Sequence, residues 1–182
     1  MATMLKLIKF KWLMLLALFA STANASLEIV ITDGVDSARP IAVVPFKFEG
    51  ATQPSENISQ IVAADLMRSG KFNPIHAMKM PQQPQTSAEF NVKLWEKSGV
   101  EAVVVGSIKE VGLDRYNIRY EVIDVVRAKG GVGQPMMNAA GRLVAGSNHI
   151  IHSGQITISG KQFRSYAHKV SDVVYEKLTG ER

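Results

Sequence analysis

Apolar positions along this chain follow more than one period. Ile41-Ala42-Val43-Val44 and Ala102-Val103-Val104-Val105 are short continuous apolar runs, the form a strand takes when both its faces are buried. From Asp114 to Asp124, Tyr116, Ile118, Tyr120 and Val122 alternate with Asn117, Arg119 and Glu121, which predicts a strand with one wet face. Ile58, Ile61, Val62, Ala64 and Leu66 recur at helical spacing and predict a helix over 56–68, with Ser55 as N-cap, Glu56 favouring the helix dipole and Gly70 as the stop. Phe163, Tyr166, Ala167, Val170, Val173, Val174 and Leu178 make one face of a last helix, capped by Ser159-Gly160 and ended by Thr179-Gly180.

Weaker signals fill the gaps. Lys47–Pro54 reads as a loop, Lys71–Ile75 as a minor strand and Met78–Gln85 as a loop. Thr86 and Glu89 have capping-box spacing, so a helix carrying Phe90, Leu94 and Trp95 is expected up to Gly99. Ala128–Asn148 holds five glycines and Pro135 and reads as a long hairpin connection, with Leu143-Val144 ordering part of it. His149–Ile158 is the returning strand. A helix between the two buried runs predicts a parallel crossover. The expected fold is α/β, a mixed and roughly five-stranded sheet flanked by helices.

Composition changes this picture at the amino terminus. Lys6, Lys9 and Lys11 precede the apolar stretch Trp12–Ala20, and Ala23-Asn24-Ala25 fits a small-x-small cleavage site. Residues 1–25 therefore read as a cleaved secretory signal; the rival, an uncleaved anchor, is short of the ~20 apolar residues that span a bilayer. No cysteine follows, so neither a lipid anchor nor a disulfide is expected, which suits a bacterial periplasm. Of 21 basic side chains three lie in the signal, leaving 18 against 16 acidic ones, too even a balance to argue for nucleic acid.

Candidate chemistry is sparse. His149 and His152 lie three apart on an expected strand, where such residues point to opposite faces, so they are read as ordinary strand histidines. His76 and His168 have no partners at metal-ligand spacing. Gly130-Gly131-Val132-Gly133 lacks the spacing and flanking elements of a phosphate loop. Lys161, Arg164 and Lys169 read as a solvated helix surface. No nucleophile elbow is present, and nothing proposes an enzyme, a cofactor, a metal or a small-molecule substrate. The remaining feature is residues 26–39. Glu28–Thr32 is rich in β-branched residues, Asp33-Gly34 and Asp36-Ser37 supply turns, and a strand at the start of a mature chain has a free edge. It can pair with this domain's own sheet, the simpler reading from the residues alone, or with the sheet of a partner.

The runs EIVITDGVDSARPIAVVPF, IVAADLMRSGKFNPI, PQQP, WEKSGVEAVVVGSI and SDVVYEKLTG, in that order and spacing, resemble the amino-terminal domain of the TolB family, periplasmic components of the Tol-Pal system. The resemblance covers the expected mature chain and divides it into an arm, 26–39, and a domain, 40–180, similar in topology to anticodon-binding domains. It implies a non-enzymatic adaptor for outer-membrane integrity, cell division and protein import. Its arm, Glu28, Ile29, Val30, Ile31, Thr32, Asp33, Gly34, Val35, Asp36 and Ser37, would bind the C-terminal domain of TolA and switch between docked and released states. Family members continue past the KLTG motif into a six-bladed β-propeller that carries the Pal interface. This sequence ends at Arg182, so Pal binding is not expected. The alternative is a propeller-less relative that binds another envelope protein or competes with full-length TolB.

Overall fold

The computed structural model describes residues 38–51, 53–129, 136–137, 143–144 and 149–181, all within the unit spanning residues 33–182. Strand β4 (Ala102–Gly112) is the axis of a six-stranded mixed sheet. β1 (Arg39–Val43) and β2 (Lys47–Glu49) both run parallel to it on the same side, in the registers Ile41↔Ala102 and Phe48↔Ile108. They are two pieces of one strand path, interrupted at Pro45, which has no N–H to give a ladder. β3 (Phe72–Pro74) lies parallel outside β1. On the other side β5 (Arg115–Asp124) and β8 (Ile150–Ser159) follow as antiparallel strands, giving the order β3-β1-β4-β5-β8 with β2 beside β4. The sixth strand is β2, in the segment expected as a loop: three residues between Pro45 and Gly50 are too few to show a period. The minor strand expected over 71–75 is β3.

Helices α1 (Ile58–Arg68) and α4 (Phe163–Thr179) pack side by side on one face. Ile58, Val62 and Leu66 from α1 and Phe163, Ala167, Val170 and Val174 from α4 meet Ile41, Val43, Val104, Ile118 and Val122 of the sheet. Each large apolar side chain fully buried here contributes about 1.5–3 kcal/mol. The Phe163 ring stands edge-on to Tyr116 with centroids 5.0 Å apart. The start of α1 differs from expectation. Asn57, not Ser55, is the cap, its Oδ1 accepting from Gln60 N–H, and the helix opens two residues late. α4 stops where expected, at Gly180 with φ 78°.

Among the described residues, the opposite face is covered near the Ala102 end only. Ala42, Val44, Val103, Val105 and Ile123 pack there against Phe90, Trp95, Val100, Val125 and Ala128. Burial on both sides explains the two continuous apolar runs. Further along, Ser107, Lys109, Asn117, Arg119, Gln155 and Thr157 occupy this second face and are partly or fully exposed, which explains the polar half of the β5 alternation. The helix expected after Thr86 breaks in two. Ser87–Glu89 is a single 3-10 turn, and α2 (Val92–Glu96) starts anew at Asn91, whose Oδ1 accepts from Lys93 N–H. Thr86 makes no side-chain cap. At the start of the expected hairpin connection, α3 (Val125–Lys129) is a short helix, begun by Asp124 Oδ1 accepting from Arg127 N–H. β6 (Met136–Met137) pairs with β7 (Leu143–Val144), as the Leu143-Val144 signal suggested. No helix among the described residues is long and apolar enough to cross a membrane.

Candidate partner-binding segment and its anchorage

The expected site, Glu28 to Ser37, lies outside the described residues. What the structure shows is the point from which it departs. Arg39 opens β1, and its side chain is held on several sides. Its Nε lies 2.5 Å from Glu101 Oε2, its Nη1 donates to Leu178 O at 2.8 Å, and its guanidinium carbon is 5.8 Å from the centre of the Phe72 ring. Its backbone N–H donates to Lys71 O at 2.9 Å. Each charged contact is partly exposed and worth about 1 kcal/mol or less. Together they bind β1 to β3, to the residue before β4 and to the last turn of α4, so Arg39 is a fixed root for whatever precedes it.

The histidines are each accounted for by local chemistry. His76 Nδ1 accepts from Met78 N–H and caps a 3-10 turn. His152 lies on the helix face of β8 with its Nε2 3.1 Å from the Tyr120 hydroxyl; burial lowers its pKa, helped by the Lys177 charge, against the opposing pull of Glu176. Burial pushes Tyr120 up to about 12, with Tyr166 adding to the shift. His149 is not in the strand but in the turn before it, buried, with Nδ1 unpartnered; burial lowers its pKa and the Glu121 charge opposes this. No group of metal-ligating side chains forms among the described residues.

His168 takes part in an arrangement that sequence reasoning missed. Asp65 of α1 receives contacts from α4: His168 Nδ1 lies 2.6 Å and Ser171 Oγ 2.8 Å from its Oδ2, while Arg68 binds Oδ1. Burial alone would raise the Asp65 carboxyl, but hydrogen bonds from His168, Ser171 and Arg68, with the His168 charge, hold it below the usual carboxylate range. Serine, aspartate and histidine meet here without forming a relay. A nucleophilic serine needs a base to take its proton, and Ser171 and His168 both address the carboxylate instead of each other. Beside them a cavity of about 320 Å³ is lined mostly by polar side chains, among them Glu56 and Arg164, which pair through both carboxylate oxygens at 3.1 Å. The cluster is a clamp between α1 and α4. Its sequence signal was the unassigned Asp65 and His168, each on the flank of an apolar helical stripe. On the second face Glu121 plays a comparable part, its Oε2 accepting from Ser87 N–H at 2.6 Å.

Residues 27–130 match the family described as the TolB amino-terminal domain. Over 181 residues the chain is 41% identical to a Tol-Pal system protein TolB of Pasteurella multocida (strain Pm70), a match that covers 98% of this chain and 38% of that protein. It is also similar to the crystal structure of TolB from Acinetobacter baumannii, with a TM-score of 0.56 and 24% identity over 79% of this chain and 29% of that one. The second likeness speaks for the fold alone. The chain thus spans well under half the length of these relatives.

Proposed function

Because this chain belongs to the TolB amino-terminal domain family, we propose that it is a non-enzymatic periplasmic adaptor of the Tol-Pal system that binds the C-terminal domain of TolA through Glu28–Ser37. In that role it supports outer-membrane integrity and envelope constriction during division. The observation that carries the reading is the start of the family match at Leu27, one residue ahead of the segment.

The chemistry of the segment supports this reading. The sequence Glu28–Thr32 is rich in β-branched residues, and as a strand it would offer backbone donors and acceptors with Ile29 and Ile31 on one face and Val30 on the other. Addition to the edge of a partner's sheet uses those groups directly. Arg39, two residues beyond the segment, is itself anchored, and a tether so close to the binding residues would limit the freedom lost on binding. The expected affinity is micromolar, about −8 kcal/mol.

Titration calorimetry of residues 26–182 against the TolA C-terminal domain of the same organism tests the proposal. Micromolar binding is expected, and it is lost in residues 38–182 while circular dichroism shows that shorter chain still folded. Binding retained without the segment overturns the assignment. No binding by the longer, folded chain overturns it in favour of another envelope partner or of competition with longer relatives.

A further inference from the structure

The sheet has two edges, and they are built differently. β3 is three residues long and ends in Pro74, and the short β2 beside β4 carries Lys47 and Glu49. Short strands, proline and charge are the means by which sheets keep their edges from pairing with other chains. β8 has none of them. It runs for ten residues, Ile150 to Ser159, with no charge and no proline, and among the described residues only β5 pairs with it. Its one irregularity, the register shift opposite Val122 and Ile123, lies at its beginning and leaves Ser153–Ser159 regular.

We propose that β8 pairs antiparallel with β8 of a second copy of this chain, in a register centred on Gln155, so that two sheets become one. Charge selects this occupant. Pairing about a two-fold axis sets the central residue against its own copy and every other residue against the one equally far beyond the axis, so an edge of one charge sign repels itself, and this edge carries no Asp, Glu, Lys or Arg over its whole length. The nearest charge on the β5 neighbour is Arg119, opposite Gln155. Its counterpart in the second copy is three strand spacings away, about 14 Å, beyond the ~8 Å over which salt leaves such charges effective.

The side chains agree with that register. Ile156, 41% exposed, lies opposite Gly154 of the copy. Gly154 has no side chain because the Tyr120 ring occupies the place where its Cβ would point, so Ile156 is received on an aromatic floor. Ser153 meets Thr157. Gln155 meets itself at the axis, and an amide carries both donor and acceptor, so it satisfies its own copy.

Sedimentation velocity on the purified protein over roughly two decades of concentration reads the outcome. A concentration-dependent dimer is expected. Gln155→Lys and Gln155→Glu each set like charges face to face and weaken self-association about tenfold or more, while an equal mixture of the two restores it. The chain has no cysteine, so Gln155→Cys adds a single thiol, and mild oxidation of that variant yields a covalent dimer across the axis. A monomer at every concentration, a dimer indifferent to both charged variants, or a mixture that stays monomeric overturns the proposal.

Discussion

Over α1 and α4 the sheet is covered by two helices whose apolar residues recur at helical spacing and interlock along its length. Among the described residues its other face is covered at one end only, by the short helices α2 and α3, the Ser87–Glu89 turn and the loop around Met80. The first cover is built from period and joined by the Asp65–His168–Ser171 clamp. The second is built from single anchors: Trp95, fully buried with its Nε1 unpartnered, Phe90 stacked beside it at 6.1 Å, and Glu121 holding Ser87. A cover made of helices shares its load among many contacts, whereas one made of loops depends on a few. The two sides of one sheet should therefore fail in different ways.

The largest test replaces the main aromatic of each side. Phe163→Ala and Trp95→Ala both empty a fully buried site and should each cost about 3–5 kcal/mol in urea unfolding. They part company in native-state hydrogen exchange. Phe163→Ala should speed exchange throughout the sheet, while Trp95→Ala should open Ser87–Glu96 first and leave β4 and β5 protected. Uniform loss of protection in both variants would erase the distinction between the sides.

A smaller effect comes from the polar ties. Asp65→Ala strands the donors of His168 and Ser171 and should cost about 1–3 kcal/mol in urea unfolding, whereas Glu121→Ala frees Ser87 N–H, which a local opening hands back to water, and should cost less. The Asp65 variant should lower the stability of the whole α1–α4 pair, and the Glu121 variant should release Ser87 N–H to fast exchange with little change in the unfolding midpoint. The reverse ranking would show that the second cover is as cooperative as the first.

How much of this was legible in the sequence follows the same division. β5, α1 and α4 could be read because each repeats its period over enough residues to fix it, and β1 and β4 because each carries a continuous apolar run buried on both faces. The second cover has no period to read. Phe90 ends one helical turn and Asn91 caps the next helix within a stretch that looks like one amphipathic unit, and α3 hides in an apolar continuation of β5. β2 was missed because the partner that makes Lys47–Glu49 a strand lies sixty residues away in β4. Glu121 was assigned to the wet side of β5 by its alternation and is buried because the turn at Ser87 folds over it. The segment Glu28–Ser37 drew its assignment from resemblance; its residues alone left self-pairing and partner-pairing both open.

The smallest expected effect is on pH dependence, and it samples both sides at once. Burial lowers the pKa of His149, beside Glu121, and of His152, beneath α4. As pH falls below about 6.5 the unfolded chain takes up protons at these positions before the folded one does, so stability declines until the lowered folded values are reached and then levels off. His152→Gln and His149→Gln should each flatten part of that decline, read as urea midpoints across the mildly acidic range. A decline unchanged in both variants would place its origin elsewhere.

Arg39 has a mechanical consequence. Through Nη1 it grips Leu178, two residues before the glycine that ends α4, so the first strand and the last helix of the described domain are stapled at one corner. Tension applied between the chain ahead of Arg39 and the chain beyond Gly180 meets this staple where it meets the first residue of β1. The staple works as a fuse: it shares the pull with the backbone bond from Arg39 to Lys71, and a guanidinium and a carbonyl part at low force, after which the hydrogen-bonded ladder of β1 bears the load alone.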